Sequence, residues 1–187
     1  MIINLENIES SYSKNNLYRE LYSYVLGKNP KEVIEFGCLE GYSTVAIAKA
    51  LSQLHNGGKL KAYDLWEEYE YKAGRKDLVL DNLKKNNVSS FVELGNRDFY
   101  DFLKNPEPFD LLHVDISNDG DIIEKAIEAL YPQLENGSTL IFEGGSEERD
   151  NEEWMVKYNK RPINSIKYNY TLLTEKWPSI GLFNCYE

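Results

Sequence analysis

The sequence predicts an α/β fold: a doubly wound, mostly parallel sheet of seven strands with an antiparallel C-terminal hairpin. Three observations carry this reading. Five short apolar runs alternate with segments of helical spacing, the pattern of repeated strand–helix crossovers. The first run, Val33-Ile34-Glu35-Phe36, breaks at Gly37 and again at Gly41 before a helix-like stretch begins. The last two strand-like runs, 169–174 and 179–184, are joined by a turn at Trp177-Pro178.

In chain order, apolar or aromatic side chains at Tyr12, Leu17, Leu21, Tyr24 and Val25 predict a helix over 12–27, stopped by Gly27 and Pro30. The first strand is 33–36 and its helix about 42–54, with Ser43 or Thr44 as a cap. Asn56-Gly57-Gly58 turns the chain into a second strand, 59–63, which Asp64 ends. Segments 66–71 and 77–86 have helical spacing, the latter at Leu78, Leu80 and Leu83, and Glu67, Glu68 and Glu70 read as a solvated face. A third strand, 91–94, leads into a helix over 98–103. The fourth strand, 109–114, is apolar almost throughout, as a central strand covered on both faces should be. Asp115 sits at its carboxyl end, where open α/β sheets place ligands, and His113 lies two residues earlier on the same side. A helix over 120–130, a fifth strand over 138–142 and a charged segment over 146–159 complete the body. In that last segment Trp154, Met155 and Tyr158 form one helical face.

Composition narrows the function. A chain of 187 residues with 42% hydrophobic content fits one domain, 1–187, with a real core. The net charge of −10 argues against a nucleic-acid substrate, which needs a basic surface. No apolar run approaches the roughly 20 residues of a membrane span, and 1–16 lacks the pattern of a signal peptide. The expectation is a cytoplasmic protein with no membrane partner. Two cysteines, Cys38 and Cys185, make no disulfide framework, and two histidines exclude a His-rich zinc site.

The glycine spacing then selects a ligand. A dinucleotide site wants G-x-G-x-x-G, so that a pyrophosphate can meet the helix N-terminus. Here the spacing is G-x-x-x-G, with Glu35 two residues ahead. An acid there repels a pyrophosphate and suits a cationic ligand, such as an ammonium beside a sulfonium. Asp64, at the tip of the second strand, is placed to accept two hydrogen bonds from a ribose.

The run E-x-G-x-x-x-G-x-S, Glu35 to Ser43, resembles motif I of the class I S-adenosylmethionine-dependent methyltransferases. Its G-Y-S-T ending looks most like the small-molecule O-methyltransferase branch that includes catechol O-methyltransferase. The resemblance runs from about residue 30 to the end and implies a Rossmann-like methyltransferase fold. It implies S-adenosylmethionine as cofactor, held by Glu35, Gly37, Gly41, Ser43, Asp64 with its neighbour Leu65, Asn96 and Asp98. Asp98 stands where the family meets adenine, and Trp66 is a candidate for stacking on that ring. Residues 1–29 become an N-terminal helix or lid, with Ser10–Tyr12 over the cofactor. The acceptor is expected to be a small molecule bearing a hydroxyl, a sugar or secondary metabolite; a homodimer is one open assembly.

The catechol-type branch holds Mg²⁺ with an Asp after the fourth strand and an Asp-Asn pair after the fifth. Asp115 matches the first ligand, Glu143 stands at the second, and Gly144 replaces the Asn. The branch's lysine after the first ligand is absent, and Asp119 is a candidate third oxygen. Two alternatives follow: Mg²⁺ or another divalent metal on Asp115 and Glu143, or metal-free catalysis with Asp115 or His113 as general base. Arg149, Lys157 and Arg161 either meet an anionic substrate or balance nearby acids. The same departures keep open a cofactor-binding partner or regulatory protein that does not catalyse.

Overall fold

The computed structural model describes residues 3–68 and 74–186. A 3-10 turn at Ser11–Asn15 precedes α1 (Tyr18–Lys28) and β1 (Glu32–Phe36). Then come α2 (Tyr42–Leu54), β2 (Lys59–Asp64), α3 (Lys76–Lys85), β3 (Val92–Asn96) and α4 (Phe99–Lys104). β4 (Leu111–Val114), α5 (Gly120–Glu135) and β5 (Thr139–Glu143) follow, then α6 (Glu147–Asp150), α7 (Glu153–Lys157), β6 (Thr171–Thr174) and β7 (Ile180–Phe183). The strands form one sheet in the order β3-β2-β1-β4-β5-β7-β6. All neighbours are parallel except β5–β7 and β6–β7, so the expected antiparallel hairpin closes the sheet, with β7 inserted beside β5.

The strand order reverses between β1 and β4, and that switch point is where an open sheet leaves a crevice at its carboxyl edge. Side-chain alternation divides two cores. Val33, Leu60, Leu111 and Ile141 face α1 and α2. Ile34, Phe36, Leu112, Val114, Leu140 and Phe142 face α4 and α5. Glu35 and His113 are register partners and share the α1–α2 face.

Several boundaries differ from the sequence reading. The first helix is split: Asn16 takes a left-handed conformation, φ 54°, after the 3-10 turn, and α1 then runs through Gly27 to Lys28. Gly41, not Ser43 or Thr44, caps α2, and both of those lie buried in its first turn. On α3 the buried pair is Val79 and Leu83, while Leu80 is exposed. α5 continues past Pro132 because Leu134 extends its buried stripe. The charged segment is two short helices rather than one face, and it buries Arg149 and Asp150. Of the predicted helix 66–71, Trp66–Glu68 form a 3-10 turn; the rest, including Glu70, lies outside the described residues.

Candidate active site

The glycine turn is built by its neighbours. Gly37 (φ +89°) ends β1, donating its N–H to the Tyr63 carbonyl at 3.0 Å. A Cβ there would collide with the carbonyl oxygen of Asp115, so β1 and β4 leave the sheet in backbone contact. Gly41 also has φ +89°, and a Cβ on it would meet Val79 at 3.1 Å. It caps α2 in the left-handed conformation and lets α3 pack closely.

Asp64 ties this turn to β2. Its Oδ2 accepts from the N–H of Cys38 (2.7 Å) and of Leu39 (3.2 Å), and its Oδ1 accepts from Trp66 N–H (3.0 Å). Oδ1 keeps spare lone-pair capacity. Leu65 follows, half-buried. Asn96 is the register partner of Asp64 and donates from Nδ2 to Glu68 Oε1 at 2.9 Å. Asp98 caps α4, accepting from Asp101 N–H at 3.1 Å. Trp66 is buried and donates from its indole to the Gly95 carbonyl at 2.9 Å, so it is packed at the β2–β3 edge. Burial, then Glu35 and Asp64, push the Cys38 thiol well up, which leaves it a small inert filler.

Beside the turn lies a fully buried chain of three side chains, Tyr12, His113 and Glu35. Burial and the carboxylates of Asp115, Glu143 and Glu35 hold the Tyr12 phenol well above its ordinary range, so it keeps its proton. Its hydroxyl lies 3.2 Å from His113 Nε2 and His113 Nδ1 lies 3.1 Å from Glu35 Oε1; with the tautomer assigned so that Nδ1–H donates to the carboxylate, the phenol donates to Nε2. Both ring nitrogens of His113 are engaged, so the ring is placed to orient Glu35 rather than to touch an acceptor as the expected general base. Glu35 Oε2 is buried with no partner. A buried carboxylate oxygen left open is what a cationic ligand group would satisfy.

The segment carrying Tyr12 is strapped across this edge. Asn4 exchanges two hydrogen bonds with Asn86, each 2.8 Å, Glu9 N–H donates to Glu40 Oε2 (2.8 Å), and Asn15 Nδ2 donates to the Trp177 carbonyl (2.7 Å).

Asp115 is half-buried. Burial first, then the carboxylates of Glu143 and Glu35, raise its carboxyl well above the usual range; Arg149 opposes them. Glu143 is buried and its two oxygens accept from Arg149 Nε (2.6 Å) and Nη2 (2.8 Å). Asp119 caps α5 through Ile122 N–H (2.9 Å) and pairs with Lys160 (3.0 Å). Of the carboxylates that the resemblance assigns to a divalent metal, Glu143 is thus held at both oxygens by a guanidinium and the candidate Asp119 by an ammonium, which leaves Asp115. The residues present do not fit that metal, and among the described residues no three acidic, His or Cys side chains gather as a ligand set. Of the two readings of Arg149 in the sequence, the balancing of a nearby acid is the one its geometry fits.

Asn118, passed over in the sequence, is buried here. Its Nδ2 donates to the carbonyls of Val114 and Glu143, both at 2.9 Å, and its backbone carbonyl accepts from Arg149 Nη2 at 3.2 Å. The sequence signal that places Arg149 here is Ser146: its hydroxyl caps α6 by accepting from Arg149 N–H (3.3 Å), which sets the arginine one turn into a helix leaving β5.

Comparison with known proteins agrees with this architecture. The O-methyltransferase TomG from Streptomyces achromogenes, involved in tomaymycin synthesis and solved with SAM, is similar at TM-score 0.59 and 18% identity, over 95% of this chain and 82% of that one. The SAH-bound methyltransferase PaMTH1 of Podospora anserina matches at TM-score 0.62 and 13% identity, over 94% and 79%. An O-methyltransferase from Bacillus cereus in complex with SAH matches at 0.60 and 18%, over 96% and 82%. These likenesses establish the Rossmann-like fold. No curated protein matches the chain. No helix among the described residues is long and apolar enough to cross a membrane. A family model described as a methyltransferase domain matches residues 34–143, from the middle of β1 to the last residue of β5, and the chain belongs to that methyltransferase family.

Proposed function

We propose that this chain is an S-adenosylmethionine-dependent O-methyltransferase of the cytoplasm, acting on a hydroxyl of a small-molecule acceptor. The observation that carries the reading is the unpartnered Oε2 of Glu35, buried at the end of β1. Burial and then Glu143, Glu35 and Asp64, close to Asp115 at the switch point, all raise its carboxyl. Such an anionic crevice suits a ligand that carries an ammonium and a sulfonium. The neighbours solved with SAM or SAH support the same choice.

In this reading Glu35 Oε2 accepts from the ammonium, and His113 and Tyr12 hold Glu35 in place. Asp64 uses its spare capacity on the ribose. Leu65, Asn96 and Asp98 border the adenine, and Gly37, Gly41 and Ser43 shape the turn. Residues 1–29 act as a lid. The donor supplies an activated methyl group. The chain's part is to align the acceptor oxygen with that carbon, exclude water and remove the hydroxyl proton. Asp115 is the base: it stands at the end of β4 in the crevice, and burial, Glu143 and Glu35 raise its carboxyl, which makes the carboxylate a stronger proton acceptor.

Transfer of tritiated methyl from S-adenosylmethionine to a panel of small phenols, sugars and hydroxylated metabolites tests this. One methylated product, with the proton-accepting role lost in Asp115→Asn, is the expected result. Donor binding with no turnover anywhere on the panel points instead to a cofactor-binding regulatory protein.

A further inference from the structure

We propose that the Arg149 guanidinium, clamped on Glu143, is the resident cation of the acceptor site, and that its Nη1 arm with Asn118 Oδ1 seats the acceptor hydroxyl without a metal. The proposal rests on the methyl-transfer reading above.

Four observations lead there. The Glu143–Arg149 pair is nearly sealed from solvent, with side-chain exposures of 7% and 4%. A buried ion pair is poor ground for stability, because desolvating both charges offsets most of their attraction, so its presence at this edge calls for another reason. Next, the pair leaves two polar atoms buried and unsatisfied, Arg149 Nη1 and Asn118 Oδ1. The Asn118 amide is oriented by its two donated hydrogen bonds, so the open atom is the oxygen. One is a cationic donor and the other an acceptor, and a hydroxyl is the group that serves both. Its oxygen takes Nη1–H and its proton faces Oδ1; once that proton leaves to Asp115, the guanidinium faces the oxygen anion.

Third, three chain segments converge to make this seat: the end of β5, the β4–α5 turn and α6. Gly144 permits it, since a Cβ there would press on Ile163 at 2.8 Å and reach Arg149 Cγ at 3.5 Å. Fourth, the half-buried Trp154 ring of α7 lies 4.7 Å from the guanidinium carbon and forms an outer wall against which a flat acceptor can pack. A single arginine arm offers no second coordination position. The site therefore takes acceptors with one ionisable hydroxyl and does not require a chelating vicinal diol.

The test uses MnCl2 and phenol as probes on the whole chain, with and without S-adenosylhomocysteine. By electron paramagnetic resonance the wild type should not take up Mn²⁺. Arg149→Gln strips Glu143 of its cation, beside Asp115 and the already open Asn118 Oδ1, and should bind Mn²⁺ at least about tenfold more tightly. Arg149→Lys, a milder change that keeps the charge on Glu143, should still exclude it. Adding phenol to the labelled, S-adenosylhomocysteine-loaded wild type should move the Arg149 guanidinium and Asn118 amide resonances.

Mn²⁺ binding by the wild type that Glu143→Gln abolishes overturns the proposal. So does equal uptake by the glutamine and lysine variants, folded Arg149→Gln that gains no affinity, or phenol leaving both resonances still. If Arg149→Gln fails to fold, the wild-type and lysine measurements decide. Failure of S-adenosylhomocysteine to bind would sink the methyl-transfer reading separately, since the Mn²⁺ contrast is read without it.

Discussion

Gly37→Ala is expected to separate the exits of β1 and β4 and abolish donor binding. The added Cβ meets the Asp115 carbonyl oxygen, a backbone atom with no freedom to rotate away, at a residue whose φ is +89°. Either Asp115 moves off Phe36, losing the 2.8 Å bond from its N–H to that carbonyl, or the glycine turn shifts away from Asp64. Strain of this kind costs at least ~3 kcal/mol, adding close packing to an unfavourable φ. Gly57→Ala separates the two contributions, because Gly57 has φ +82° and open space around it. It should lose only about 1–2 kcal/mol. Urea melts of both variants check this, and a Gly37→Ala curve that overlays that of Gly57→Ala would show that the contact is not what the glycine is for.

Asp115→Asn should make the empty protein more stable while it slows turnover. The Asp115 carboxyl titrates well above its ordinary range, chiefly because of burial and then Glu143 and Glu35. A group whose folded-state range is raised holds its proton more tightly folded than unfolded. Stability therefore falls as pH climbs from the unfolded carboxylate value of ~3.9 through the raised folded value, and the full cost persists above it. Asparagine removes that cost and flattens this part of the profile. Thermal melts at a series of pH values should show the variant above the wild type at neutral pH, by ~2–4 °C for each kcal/mol recovered in a chain of this size. They should converge in acid. Turnover should drop ~10²–10⁴-fold if the side chain takes the acceptor proton. A variant less stable than the wild type at neutral pH would mean the carboxylate is compensated in a way the geometry does not show.

Local signals carried most of the fold. The apolar runs and the Gly37/Gly41 breaks announce β1 and α2 because a parallel strand buried on both faces is mostly apolar, Glu35 being the exception in β1. The places of Glu35, Asp64 and Asp115 at or beside the carboxyl ends of β1, β2 and β4 were legible from the same runs, and strand ends converge at the switch point. What stayed hidden depends on contacts distant in sequence. Tyr12 and His113 are 101 residues apart, and nothing in either neighbourhood marks the pair. Arg149 reaches Glu143 only because Gly144 and Gly145, with φ of +107° and +101°, fold α6 back over β5. Among Arg149, Lys157 and Arg161, only the Ser146 cap one turn before Arg149 hints at which does so. On α3, Leu78, Leu80 and Leu83 look like a stripe, but Val79 and Leu83 are one turn apart and it is they that meet the core.

Calorimetric titration of the purified chain with S-adenosylhomocysteine, set beside the same titration of Asp64→Ala, bears most directly on the central reading. The wild type should bind one equivalent, and the variant should bind about tenfold more weakly or worse, a loss of ~1.4 kcal/mol or more. A wild type that gives no heat of binding, or that takes up NAD in preference, would contradict it.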